Sequence, residues 1–276
     1  MPFISANGAR FHLQRLEPEA PAERAPLVVF VHGLVMDNLS SFYYTLAGPV
    51  ISAGARVLLY DLRGHGRSER TPAGYTARDG AADLCALLDA AGVTEPVYLV
   101  GNSFGGVIAA RTAIAAPKRV AGLALIEASC AGATAAAWLE DMLNTLSAGA
   151  LTLEYNGTAE VFQAAGQRKF AKMAQSADAL LNGTSAIEDL AAERPLDAAE
   201  LARIECPVLA VYGEHSELAG GADDLRRHVR DGQVEFISGL AHTVLRDATG
   251  TLRDLLLDWL LRQAPAPVAL PAGGTR

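Results

Sequence analysis

The stretch Val97-Tyr98-Leu99-Val100-Gly101-Asn102-Ser103-Phe104-Gly105-Gly106 decides the fold. Four apolar residues run without a break into a glycine, a serine and two more glycines, and an Ala-rich segment follows. An unbroken apolar run of this kind reads as a strand buried on both faces, as in parallel sheets. The residues from 104 to 116 read as a helix that follows it directly. A strand turning at once into a helix forces the apex residue into a strained backbone conformation. Gly101 and Gly105 remove the Cβ atoms that would collide at such a corner, and Gly106 permits close helix packing. Ser103 is then the apex, its hydroxyl standing exposed above the carboxyl edge of the sheet.

The same apolar pattern recurs on both sides of the corner. It appears at Leu27–Val31, at Arg56–Tyr60, at Val120–Ile126 and at 208–212, with a weaker version at 233–237. Helical patterns at 77–91, 104–116 and 252–261 alternate with these runs. Alternation of this sort predicts an α/β fold with a mostly parallel sheet covered by helices on both faces. Asn7-Gly8, between short apolar stretches in residues 3 to 15, predicts a β-hairpin ahead of it. Residues 130–203 break the alternation with helical composition and no convincing strand, which predicts an insertion of three or four short helices. Within it Asn156-Gly157-Thr158 and Asn182-Gly183-Thr184 each read as a helix stop followed by a cap, and Ser185 with Glu188 fits a capping box. The expected division is therefore a core of residues 1–129 and 204–262, a helical cap of 130–203, and a Pro/Ala/Gly-rich disordered tail of 263–276.

Composition narrows the function. The 23 Lys and Arg against 31 Asp and Glu give a formal net charge of −8, and half of the residues are hydrophobic. Phosphate backbones are bound by clustered Lys and Arg, so nucleic acid is not an expected partner. No apolar run reaches the length that spans a bilayer, and the first residues carry neither a charged n-region nor an apolar h-region. A cytoplasmic location and no membrane partner are expected. Cys85, Cys130 and Cys206 are odd in number and fit no disulfide framework or zinc spacing. No metal or other cofactor is expected.

A serine hydroxyl is a poor nucleophile without a base. His242 follows the last strand pattern in Gly239-Leu240-Ala241-His242, where a loop can carry its imidazole over the sheet edge towards Ser103. A tetrahedral intermediate also needs donors for its oxyanion. The backbone N–H of Leu34, after His32-Gly33 at the end of the first buried strand, and that of Phe104, at a helix N-terminus, are the expected pair. These features, with Asp61-Leu62-Arg63-Gly64-His65-Gly66-Arg67-Ser68, resemble the α/β-hydrolase superfamily over residues 3 to 262. The resemblance implies a central eight-stranded, mostly parallel sheet with a helical cap inserted after strand six. It also implies a structural role for Asp61, Arg63, His65 and Gly66.

One position departs from that resemblance. The family's usual acid follows strand seven in a Gly-Glu-x-Asp-like turn, and Gly213-Glu214-His215-Ser216-Glu217 has a serine at the Asp position. Glu127, which ends strand six, is the favoured substitute, in an arrangement similar to the haloalkane dehalogenases whose acid is a Glu. Glu214, Glu217 and a triad lacking its acid are the alternatives. An ionisable residue closing an apolar strand also requires a polar partner.

The reaction expected from Ser103 and His242 is cleavage of an ester or thioester of a hydrophobic acyl group through an acyl-enzyme. The resemblance associates an elbow Asp with dehalogenases and epoxide hydrolases, and the serine here disfavours those chemistries. The expected pocket is apolar, lined by Leu34, Val35, Met36 and Phe104, with Trp138 and Met142 from the cap. The expected partner is a small-molecule acyl substrate, free or bound to a carrier protein, in a setting such as polyketide or related biosynthesis. Acyl transfer or cyclisation, carbon–carbon bond hydrolysis, and a non-enzymatic binding module are the competing readings.

Overall fold

The structure, a computed structural model, describes residues 2–20 and 25–263. The expected tail, but for Gln263, lies outside them. An eight-stranded sheet organises the chain. Its strands are β1 Phe3–Ala6, β2 Ala9–Leu16, β3 Leu27–Val31, β4 Arg56–Tyr60, β5 Val97–Asn102, β6 Val120–Ile126, β7 Val208–Gly213 and β8 Gly232–Ile237. They lie in the order β1-β2-β4-β3-β5-β6-β7-β8. β1 and β2 form an antiparallel hairpin and β2 pairs antiparallel with β4, while every other pair is parallel. β3 and β7 are buried at every position, as their unbroken apolar runs require.

Helices cover both faces. Short helices α1 Ser40–Phe42 and α2 Gly48–Ser52 flank a π-helical turn, Tyr43–Ala47. α3 Ala77–Ala90 and α4 Phe104–Ala115 follow. Between β6 and β7 lie α5 Gly132–Asn156, α6 Thr158–Ala164, α7 Arg168–Leu181, α8 Ala186–Ala191 and α9 Ala198–Leu201. α10 Gly221–His228, α11 Val244–Asp247 and α12 Thr249–Gln263 complete the set. Leu84 and Leu87 of α3, Ile108 of α4 and Leu225 of α10 pack in the core on one face of the sheet. Phe42, Leu46, Val50 and the α12 residues Leu252, Leu256 and Trp259 form the core on the other.

The segment between β6 and β7 differs from its sequence reading in two respects. It holds five helices, and α5 alone spans 25 residues. Gly149 sits inside α5 with open space around it, so its cost to the helix is borne without a break. The capping box expected at Ser185 does not form. The Ser185 hydroxyl donates to Asp189 at 2.6 Å and leaves the helix amides alone. Reciprocal capping boxes form at Thr76 with Asp79 and at Asp197 with Glu200 instead.

Side-chain contacts tie this segment to the core. The Asp189 carboxylate accepts from the amides of Gly74 and Tyr75. Burial pushes its carboxyl up, but the Ser185 hydroxyl and these two amides outweigh that and hold it below its usual range. Arg111 of α4 pairs with Glu193 at 3.1 Å, with both side chains largely buried. Among the described residues no helix is long and apolar enough to cross a membrane. Cys85, Cys130 and Cys206 are free thiols.

Candidate functional site

Only four non-glycine residues with positive φ occur among the described residues: Asn7, Val35, Ser103 and Glu127. Asn7 is the turn of the β1–β2 hairpin. The other three stand where β3, β5 and β6 end, side by side at the carboxyl edge of the sheet. Strained backbone persists where surrounding structure over-determines it, and it collects at functional sites.

Ser103 has φ 53° and ψ −124° at the junction of β5 and α4. Its amide donates to Ile126 O at 2.9 Å, and its carbonyl accepts from Gly106 N–H at 2.9 Å. A Cβ on Gly101 would lie 2.5 Å from Gly105 O, and one on Gly105 would strike the carbonyls of Val31 and His32. The corner therefore admits no larger residue at either position without moving backbone.

The Ser103 hydroxyl lies 3.2 Å from His242 Nε2. On the other side of the ring, His242 Nδ1 lies 3.0 Å from Glu127 Oε2. A carboxylate beside Nδ1 fixes the proton there, so Nδ1–H donates to Glu127 and Nε2 is left to accept from Ser103. The residues come from positions 139 and 115 apart in the chain. Glu127 is 1% exposed, whereas the His242 side chain is 32% exposed. Oε1 of Glu127 accepts the Gly213 amide and Oε2 accepts the Ser216 hydroxyl, so the buried carboxylate has donors on both oxygens. Ser216, at the position where the resemblance implies an acid, is itself buried and accepts from Leu218 N–H.

The other two candidate acids lie elsewhere. Glu214 is exposed and accepts from the Ser238 hydroxyl and the Gly239 amide, a brace for the turn that leads to His242. The Ser238 hydroxyl, then the Gly239 amide, hold its carboxyl below the usual range. Glu217 Oε1 is 3.8 Å from His242 Nδ1 with a side chain 54% exposed, a longer and wetter contact than that of Glu127.

The loop after β3 carries Leu34. Met36 N–H donates to Leu34 O at 2.8 Å across Val35, which is held at φ 60°. This tight turn costs a β-branched residue strain. Val35 N–H is fixed by His65 Nε2 at 2.8 Å, and His32 Nε2 accepts from Leu62 N–H at 2.9 Å. Both rings turn Nδ1 to a backbone carbonyl, Arg63 O and Gly33 O, so both are neutral Nδ1–H tautomers. Burial pushes the His65 imidazole down to about 4, and the neighbouring His32 ring adds to this. Burial lowers His32 as well. Asp61 accepts from His12 Nδ1, Leu39 N–H and Arg67 N–H at 2.8 to 2.9 Å. The stretch from Asp61 to Arg67 thus acts as a buckle for the Leu34 loop. Phe104 N–H is the first amide of α4 and has no partner within that helix. Leu34 and Phe104 line one cleft together, Trp138 lines a second with Phe104, and Val35 and Met36 line a third. Met142 packs against the main core cluster.

The alpha/beta hydrolase fold family matches residues 26–248, and the chain belongs to that family. Among its relatives is the lipase LipV of Mycobacterium tuberculosis, 38% identical over 122 residues, 44% of this chain and 42% of that one. Epoxide hydrolase B of the same organism is 31% identical over 131 residues, 47% of this chain and 35% of that one. The matched stretches span 26% to 42% of the length of the curated relatives. Among solved structures, MGS-M2, an alpha/beta hydrolase enzyme from a Medee basin deep-sea metagenome library, superposes with a TM-score of 0.76 at 16% identity. That match covers 96% of this chain and 99% of the other. At such identity the likeness is one of fold.

Proposed function

We propose that the protein is a serine hydrolase that cleaves an ester or thioester of a hydrophobic acyl group through an acyl-enzyme. The observation that carries this reading is the continuous contact Ser103 Oγ, His242 ring, Glu127 carboxylate, at 3.2 and 3.0 Å. In this reading the Ser103 hydroxyl attacks the acyl carbon and His242 Nε2 takes its proton. Glu127 holds the ring in the required tautomer and stabilises the imidazolium. The amides of Leu34 and Phe104 receive the oxyanion, with the N-terminus of α4 behind the second donor. The imidazolium then protonates the leaving oxygen or sulfur. Water then attacks the acyl carbon as the same nitrogen takes its proton, and the imidazolium returns that proton to Ser103 Oγ as the acyl–oxygen bond breaks and the acid leaves.

Three features favour this reading. Serine at the apex supports a hydroxyl attack on an acyl carbon. Partial exposure of the His242 ring leaves a path for water, which favours hydrolysis over transfer to another acceptor. The relatives include a lipase.

A panel of p-nitrophenyl esters and acyl thioesters of increasing chain length tests the proposal. We expect turnover that peaks at a medium apolar acyl chain and disappears in Ser103→Ala. Equal turnover by the Ser103→Ala protein would overturn the assignment of the nucleophile.

A further inference from the structure

Helix α7 roofs two clefts on either side of the Leu34 loop. Leu180, near its end, faces the apolar cleft shared by Leu34 and Phe104. Lys169, Lys172, Met173 and Ser176, nearer its start, face a larger cleft of about 530 Å³ whose opposite wall includes Val35 and Met36. That wall begins one residue beyond Leu34, the donor assigned above to the oxyanion.

The charge of this larger cleft is out of keeping with the rest of the chain. The protein has a net charge of −8 and only three lysines, Lys118, Lys169 and Lys172. Two of the three line this one cleft, three residues apart on one face of α7, and Arg67 lies on the wall with them. Among the described residues no hydrogen bond or ion pair engages the side chain of Lys169 or Lys172. The acidic groups of the same cleft are already committed. Asp37 accepts the amides of Gly33 and Asn38, and Asp61 accepts His12 and the amides of Leu39 and Arg67. At the rim Tyr43 and Tyr44 meet edge to face with centroids 5.1 Å apart, and Tyr44 is 81% exposed.

We propose that this cleft seats a negatively charged group of the substrate, so that the enzyme prefers acyl substrates carrying an anion remote from the scissile carbonyl. The inference rests on the serine hydrolase reading for its substrate class. The anion is a carboxylate on the acyl chain or a phosphate on the leaving group, and Lys169 and Lys172 bind either by the same chemistry. Against an otherwise negative surface, a local pair of uncommitted cations selects an anion by field as well as by contact.

Matched pairs of substrates separate the sources. Mono-p-nitrophenyl adipate against p-nitrophenyl hexanoate tests a carboxylate on the acyl chain. Hexanoyl-coenzyme A against its neutral N-acetylcysteamine thioester tests a phosphate on the leaving group. At low ionic strength we expect kcat/KM for the anionic member of one pair to exceed its neutral mate by about fivefold to tenfold, through KM. In Lys169→Gln/Lys172→Gln this preference collapses, in Lys169→Arg/Lys172→Arg it persists, and in the native protein added salt reduces it. No preference in either pair, or one that survives the double Gln variant, overturns the proposal. Calorimetric binding of monomethyl adipate, methyl hexanoate and both thioesters to the inactive Ser103→Ala protein keeps the two readings apart. Selective binding without turnover by the native protein would sink the hydrolase reading alone, and turnover without anion selectivity would sink this one alone.

Discussion

Two carboxylate–imidazole contacts border the same sheet, and they share a chemistry without sharing a fate. Asp61 meets His12 Nδ1 at 2.8 Å with both side chains buried. Glu127 meets His242 Nδ1 at 3.0 Å with the ring one-third exposed. In the first pair the far nitrogen, His12 Nε2, is buried with no partner, and the carboxylate is taken up by the amides of Leu39 and Arg67. In the second the far nitrogen reaches the hydroxyl of a strained serine. The comparison teaches that an imidazole oriented by a carboxylate is not in itself a catalytic device. What its second nitrogen touches, and whether water and substrate reach it, decides between a knot that holds two loops and the proton-moving base proposed at His242.

The comparison can be broken at either pair. Glu127→Gln should lower kcat by about 10³–10⁴-fold, since the amide cannot hold the ring as the carboxylate does. Its thermal unfolding should show a folded protein. Asp61→Asn should do the reverse, with kcat reduced less than about tenfold and unfolding by urea easier by about 2–4 kcal/mol. It strips the charge from a buried acceptor of one ring and two amides. Similar losses of rate from both substitutions would erase the distinction drawn here.

Acid sharpens the structural side. With His65 pushed down to about 4 in the folded chain, the unfolded chain takes up a proton near pH 6.5 that the folded chain refuses. The His65 contribution to stability is therefore full above about pH 6.5 and is lost as pH drops towards about 4, by about 3 kcal/mol, and buried His32 acts in the same direction. Urea titrations across that range should show the slope, and His65→Asn should reduce it while the part owed to His32 remains. The smallest effect is expected at Ser216→Ala, which removes one hydroxyl donor from Glu127 while the Gly213 amide remains. A loss of about threefold to tenfold in kcat is expected, with KM unchanged.

Much of this was legible in the sequence because it depends on local rules. Leu27–Val31, Arg56–Tyr60 and Val120–Ile126 form strands with the bounds their apolar runs mark. The glycines around Ser103 announced the corner because no other residue fits there. Glu127 stood out as a carboxylate closing an apolar strand, and His242 as an imidazole on the loop after the last one. The parts that stayed hidden depend on long-range pairing. Ser216 reads as a gap where an acid is expected, and only the approach of β6 to β7 shows that its hydroxyl donates to Glu127, at the end of the neighbouring strand. Ser185 matched a capping box by spacing, yet its hydroxyl turns to an aspartate that also holds the loop at Gly74 and Tyr75. α5 runs unbroken through Gly149 to Asn156, longer than the short helices expected of this segment. The lysines of α7 carried no signal until the fold set them opposite the Leu34 loop.

The central claim is that Ser103 is a nucleophile activated by His242, and a serine-directed fluorophosphonate tests it most directly. Labelling followed by peptide mass spectrometry should find one phosphonyl group per chain, on Ser103. Labelling should slow by orders of magnitude in His242→Ala and be absent in Ser103→Ala. A protein that takes up no label, or that is labelled equally fast without the serine or the histidine, would contradict the account.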